Sequence, residues 1–117
     1  AGLLEQIASG DMVRGITIAC GGFYGPQGRR IRMEIQDPGQ NAKVEAFRYR
    51  TDDKGKVREM KVCNFEMESS ALAGLASILG HRAMTCCMVI ANRHAQEMNT
   101  SYKNTIDNLI SLVLERI

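Results

Sequence analysis

The sequence lacks several features that would assign the protein to a class at once. Its four cysteines form no CxxC pair, which argues against a zinc site. No apolar run approaches the roughly 20 residues of a membrane span. The first residues lack the basic start and long apolar middle of a signal peptide. The formal net charge of +2 is too small to indicate nucleic acid or an anionic membrane as a partner.

The composition is that of one globular domain with its own core: 117 residues, 44% of them hydrophobic and 24% charged. Cys20, Cys86 and Cys87 lie inside apolar runs, so we expect buried, reduced thiols and a cytoplasmic protein. The stretch AGLLEQIASG reads as the end of a helix stopped by Gly10. Because the chain begins with Ala1 and nothing precedes this helix to bury it, we expect a piece of a longer chain.

The pattern of apolar residues predicts an α/β fold in which strands and helices alternate. The residues flanking Thr51–Gly55 form either a hairpin or a helix followed by a strand, and periodicity leaves both open. The other predicted elements, in chain order, are a buried strand at Val13–Gly22, a half-exposed strand at Ile31–Gln36, a turn at Asp37–Asn41, a helix capped by Asn64 and stopped by Gly80, a second buried strand at Ala83–Asn92, and a last helix capped by Thr100 or Ser101.

Two glutamates, Glu66 and Glu68, stand at the predicted start of the first long helix. Carboxylates are common there because they complement the helix dipole, and this is the simplest interpretation. Residues two apart on a helix point about 200° away from each other, so the pair does not suit a glycosidase mechanism. At most one glutamate should therefore face a ligand, where a carboxylate can accept two hydrogen bonds from a vicinal diol such as ribose.

Two further positions carry recognition chemistry. The amide of Gln27 matches the O2/N3–H edge of uracil, Arg29 can donate to a carbonyl, and Phe23 offers a flat apolar surface. A turn with a solvated arginine is the alternative. Asn92 and Arg93 follow the second predicted strand, where ligands bind in open α/β sheets, although a loop arginine in water would look the same.

Taken together, the stretches FYGPQGR, NFEMESSAL and VIANR resemble the C-terminal half of the nucleoside phosphorylase type I family. They occur in the family's order, and the resemblance covers the chain from Val13 onward. The Gln-x-Arg pair resembles the uracil-reading pair of the uridine phosphorylases within that family. Arg93 agrees with this, since purine-specific relatives carry an aspartate at the matching position.

The resemblance implies that Arg29 and Glu68 are the catalytic residues. Gln27 would pair with O2 and N3 of uracil, Arg29 would donate to O4, and Glu68 would bind the ribose hydroxyls. The implied substrate-binding residues are Phe23, Gln27, Arg29, Phe65, Glu66, Met67, Glu68, Ile90 and Arg93. Close relatives often have tyrosine where this chain has Phe65, and Glu66 would act mainly through backbone contacts.

The implied reaction is the reversible phosphorolysis of uridine to uracil and ribose 1-phosphate, with phosphate as co-substrate and no metal or organic cofactor. The implied fold is a central mixed sheet flanked by helices, to which residues 1–117 contribute the C-terminal part of a single domain. The family's phosphate site lies in its N-terminal half, so we expect that missing half as a partner, within a homo-oligomer that is a dimer or a hexamer. The alternatives are a purine nucleoside phosphorylase or nucleosidase of the same fold, a non-catalytic nucleoside-binding protein, and a structural domain without a ligand.

Overall fold

Short helices and strands alternate along the chain in the computed structural model, which describes residues 2–10, 12–53, 55–93 and 95–117. The helices are α1 (Leu3–Ile7), α2 (Gln40–Ala46), α3 (Ser69–Ile78) and α4 (Tyr102–Leu114), with a 3-10 turn at Gly25–Gln27. The strands are β1 (Ile16–Ala19), β2 (Arg48–Asp53), β3 (Lys56–Glu66), β4 (Ala91–Asn92) and β5 (Glu97–Met98).

The main sheet is mixed and has the strand order β1-β3-β2. β2 and β3 form an antiparallel hairpin, whereas β1 runs parallel to β3 with Ile18 opposite Phe65 and Ala19 opposite Glu66. The α/β class with a mixed sheet is therefore confirmed. Both interpretations of the central segment hold in part, because helix α2 comes first and the hairpin follows it.

The pairing of β1 with β3 brings the carboxyl ends of the two strands together. The backbone N–H of Cys20 donates to the carbonyl oxygen of Glu66 over 2.8 Å. Near the middle of the pair, the Thr17 hydroxyl donates to the Asn64 side-chain oxygen over 2.7 Å. The loop that follows β1 is thus held beside the end of β3 and the start of α3.

Gly15 makes a close approach to β3 just before β1 begins. A Cβ atom at this position would lie 2.2 Å from the Cys63 sulfur and 2.8 Å from the Lys61 carbonyl oxygen. Any side chain there would push the two strands apart, so the local pairing depends on glycine.

The predicted start of the long helix at Asn64 is wrong. Asn64 lies inside β3, and α3 begins only at Ser69, after Glu68. The Asn64 side chain bonds to Thr17 across the sheet rather than to the helix, because the strand pairing extends further than the local capping signal indicates. Ser101 is the residue that precedes α4, as predicted.

Two predicted strands do not form. Residues 31–36 are a series of bends, and residues 81–90 have no regular structure. In the part of the chain that the structure describes, no strand pairs with either segment, and only Ala91–Asn92 joins a ladder, opposite Glu97–Met98. A strand needs a hydrogen-bonding neighbour, which an apolar run does not itself supply.

The core that the composition predicts is small in the described residues, whose buried apolar side chains are those of Ile7, Cys20 and Ala76. Cys86 is half-buried and Cys87 is exposed, contrary to the expectation for both, and the four cysteines are free thiols. Within the described ranges, none of the helices combines the length and hydrophobicity that a membrane crossing requires.

Candidate active site

The loop after β1 is fixed by a tight turn at Gly25–Gln27. The Tyr24 carbonyl oxygen accepts the backbone N–H groups of both Gln27, over 3.0 Å, and Arg29, over 2.9 Å. Gly28 between them has a φ of 67°, which favours glycine. The turn buries Gln27, which is only 2% exposed, and leaves Arg29 half-buried.

Arg93 binds Gln27 across 66 positions of sequence. Its Nη1 donates to the Gln27 carbonyl oxygen over 3.2 Å, and its Nη2 donates to the Gln27 Oε1. The Arg93 guanidinium also lies 5.8 Å from the centre of the Phe65 ring. Burial and then repulsion by Arg29 lower the pKa of Arg93, but a guanidinium remains charged throughout the working pH range.

Arg29 is held against two aromatic rings. Its guanidinium lies 4.5 Å from the centre of the Phe23 ring and 5.1 Å from that of Tyr24, and the rings themselves meet edge to face at 5.2 Å. These cation–π contacts hold the Arg29 side chain against the rings and leave its N–H groups available as hydrogen-bond donors. Phe23 was predicted as a site residue and Tyr24 was not, although an adjacent aromatic pair close to an arginine is visible in the sequence.

Glu66 and Glu68 play different structural parts. The Glu66 carboxylate accepts the backbone N–H groups of Glu68, over 2.8 Å, and Ser69, over 2.7 Å, and also the Ser69 hydroxyl. The Ser69 hydroxyl, followed by these backbone N–H groups, lowers the pKa of Glu66. Glu66 thus caps α3 from the end of β3, whereas Glu68 is exposed.

The prediction that the two glutamates lie on one helix is therefore wrong, since Glu66 ends a strand and Glu68 precedes the helix. Their carboxylates nevertheless face different surroundings. Glu68 accepts the backbone N–H of Met67 over 3.2 Å and remains open to solvent.

The predicted site residues are brought together only in part. Contacts join Gln27 to Arg93, Arg93 to Phe65, and Arg29 to Phe23. No hydrogen bond, ion pair or ring contact between described side chains links Glu68, Met67 or Ile90 to this group. Met67 and Ile90 are 44% and 45% exposed.

A separate cleft of about 700 Å³ opens beside the same loop, lined in part by Tyr24, Arg29 and Met33. Of the predicted site residues it contains Arg29 alone. We therefore place the candidate site at the Gln27–Arg93 group, where buried polar atoms converge, and not in this open cleft.

Comparison with known proteins decides the family. The model of the phosphorylase superfamily matches residues 3–116. The chain belongs to the phosphorylase superfamily. It is similar to a uridine phosphorylase from Thermococcus kodakarensis, with 42% identity over 84 residues that make up 71% of this chain and 26% of that protein. The chain thus spans about a quarter of the length of the curated relative that it matches.

This membership in the phosphorylase superfamily confirms the family resemblance of the three motifs. A search of the solved structures gives no significant match. Across the described parts of this phosphorylase-superfamily chain, no three His, Cys, Asp or Glu side chains lie close enough together to hold a metal ion.

Proposed function

We propose that the complete protein is a uridine phosphorylase, a pentosyltransferase that converts uridine and phosphate reversibly into uracil and ribose 1-phosphate. The observation that carries this proposal is the buried Gln27 amide held by Arg93 beside the stacked Arg29. The similarity to the uridine phosphorylase from Thermococcus kodakarensis supports it.

The base is recognised by side chains of the loop after β1. Gln27 offers an acceptor and a donor to N3–H and O2 of uracil, and Arg29 donates to O4. Phe23 and Phe65 supply flat apolar surfaces, and Ile90 and Arg93 close the base pocket.

The ribose is bound at the start of α3. Glu68 is exposed and can accept hydrogen bonds from the 2′ and 3′ hydroxyls, while Met67 packs on the sugar. Glu66 stabilises this site indirectly, because its carboxylate accepts the backbone N–H groups of Glu68 and Ser69 and so fixes the backbone there.

In the reaction, a phosphate oxygen forms a bond to C1′ as the bond between C1′ and N1 of uracil breaks. The electron pair moves onto the base and spreads to its carbonyl oxygens, where the Arg29 cation stabilises the charge. A proton then completes uracil at N1. Glu68 holds the ribose in a reactive orientation during this step. Phosphate is the co-substrate, and the proposed reaction uses neither a metal nor an organic cofactor.

The phosphate site and the rest of the sheet are proposed to come from an N-terminal half that these residues do not include. The functional unit is proposed to be a cytoplasmic homo-oligomer, either a dimer or a hexamer. Both proposals rest on the family resemblance.

The test is to incubate the complete protein with uridine, with and without phosphate, and to follow uracil and ribose 1-phosphate. We expect uracil release only with phosphate, and a loss of about 10- to 100-fold in kcat/KM for Glu68→Gln, the effect of a charged hydrogen bond. Glu45→Gln, in the exposed part of α2, is the matched control and should leave the rate unchanged. Release of ribose without phosphate, or activity on inosine alone, would contradict the proposal.

A further inference from the structure

Strand β2 lies at an edge of the main sheet in the described part of the chain. One of its sides pairs with β3 over the whole of Arg48–Asp53. Its other side pairs with no described strand, so it presents unpaired backbone N–H and C=O groups to which a further strand can add. The hairpin exposes apolar surface as well, since Phe47 and Val57 are 50% and 68% exposed.

The charges along β2 are ordered by sign. The strand reads RYRTDD, with two arginines before Thr51 and two aspartates after it. Edge strands that avoid association carry charges, especially lysines, that would meet like charges on an identical strand. In β2, by contrast, antiparallel pairing with an identical strand brings the basic half of each strand against the acidic half of the other. Opposite charges that face each other across two strands stabilise the pair, and like charges destabilise it.

The order of the charges selects one register for such a pair. Backbone groups of successive residues point to opposite edges of a strand, so a symmetric pair of β2 strands is centred on one residue that lies opposite its own copy. Centring on an arginine or an aspartate sets that residue against a like charge, and centring on Tyr49 sets Arg48 against Arg50. Centring on Thr51 sets Arg50 against Asp52 of the second copy, twice, and no like charges face each other there.

Both charged side chains keep polar atoms for this contact. Arg50 donates its Nε to Glu59 of β3 over 2.7 Å, and no hydrogen bond among the described residues uses its Nη groups. The Oδ1 atom of Asp52 accepts the backbone N–H of Gly55 over 2.8 Å, which leaves Oδ2 as an acceptor. Arg50 and Asp52 are both exposed. The contact across the two copies therefore breaks no bond within the hairpin.

We propose that the β2 edge is a contact surface between two copies of this chain, paired antiparallel about Thr51 so that Arg50 of each copy lies opposite Asp52 of the other. The main sheets of the two copies then form one continuous sheet. An edge of six residues buries less surface than a stable dimer needs, so this contact supplements the wider interface of the proposed homo-oligomer and fixes how two copies are oriented. The surface is separate from the Gln27–Arg93 group, so the inference does not depend on the substrate.

The first test is disulfide cross-linking of the complete protein in the variant Thr51→Cys. Directly opposed Cα atoms of an antiparallel pair lie about 4.5–5.5 Å apart, which suits a disulfide. Oxidised glutathione takes up the two electrons and two protons that the thiols lose, and is reduced to the thiol. We expect a cross-linked dimer on a non-reducing gel, above the background that the native cysteines of the wild type produce.

Val57→Cys is the matched control, because Val57 is exposed on the same hairpin but lies on β3. In the proposed arrangement the β3 strands of the two copies are three strand spacings apart, about 14 Å, which no disulfide spans. This variant should stay at the wild-type background. Equal cross-linking of Thr51→Cys and Val57→Cys, or none in either, would overturn the proposal.

The second test reverses the charges in the Thr51→Cys background. Arg50→Glu sets two carboxylates against each other and Asp52→Arg sets two guanidinium groups against each other, so each variant should lose the cross-link. Co-expression of the two variants, one of them with an affinity tag, places opposite charges together at both positions. We expect the cross-link to return, and only between unlike chains, which also shows that both variants fold.

Cross-linking that either charge reversal leaves unchanged would contradict the proposed register, as would a co-expressed pair without a cross-link. Uracil release from uridine is measured on the same samples. Activity without a cross-link in Thr51→Cys would reject this contact and leave the proposed function standing, whereas a cross-link without activity would reject the proposed function alone.

Discussion

Substitution of Gly15 by alanine tests the strand pairing that positions the candidate site. The new Cβ would lie 2.2 Å from the Cys63 sulfur and 2.8 Å from the Lys61 carbonyl oxygen. The sulfur can rotate away, but the carbonyl oxygen is fixed because Lys61 pairs with Arg48 within the sheet. Such overpacking destabilises the folded protein by about 1–3 kcal/mol. Alanine also makes the unfolded chain stiffer than glycine does, which stabilises the folded state by about 0.4–1 kcal/mol. We expect Gly15→Ala to lower the free energy of unfolding by about 1–2 kcal/mol.

The assay is urea unfolding of the complete protein, with Gly74→Ala as the control. Gly74 lies inside α3 and no atom would contact its new Cβ, so this variant should gain about 1 kcal/mol from helix propensity. Adding Cys63→Ala to Gly15→Ala should recover less than half of the loss, because the clash with the carbonyl remains. If Gly15→Ala were as stable as the wild type, the close approach of Gly15 to β3 would be refuted.

Two further predictions concern the same end of the sheet. Ser69→Ala should raise the pKa of Glu66 toward its ordinary value, as carbon-detected NMR titration can show. The lowered pKa of Glu66 stabilises the fold at pH values above the ordinary pKa of a glutamate, and this stabilisation is lost as the pH falls through the pKa of the folded state. The variant should therefore narrow the pH range in which Glu66 stabilises the fold. An unchanged pKa would contradict the capping role. Thr17→Val should lower the free energy of unfolding by about 1 kcal/mol, because Asn64 loses its donor. Urea unfolding that left Thr17→Val as stable as Thr17→Ser would contradict this bond.

Local patterns predicted the elements that depend on short-range signals. A hairpin was one of the two structures predicted for the residues flanking Thr51–Gly55, and Thr100 or Ser101 marked the start of α4. The predicted strand at Ala83–Asn92 failed because strand formation depends on a neighbour far away in sequence. Asn64 failed as a cap for the same reason, since β3 continues past it to Glu66.

The candidate site was predicted in its residue types more than in its contacts. The hydrogen-bonding chemistry of Gln27 and Arg29 can be predicted from the sequence, because an amide always offers donors and an acceptor and a guanidinium always offers donors. The bond between Arg93 and Gln27 spans 66 positions and leaves no local pattern, so it could be found only in three dimensions. The capping role of Glu66 was hidden by the wrong helix start.

The most direct test of the central claim is calorimetric titration of the complete protein and its Gln27→Ala variant with uracil and with hypoxanthine. The account predicts that uracil binds the wild type, that hypoxanthine does not, and that Gln27→Ala loses at least about 10-fold in affinity for uracil. Tighter binding of hypoxanthine, or unchanged uracil affinity in the variant, would contradict recognition of a pyrimidine base by this site.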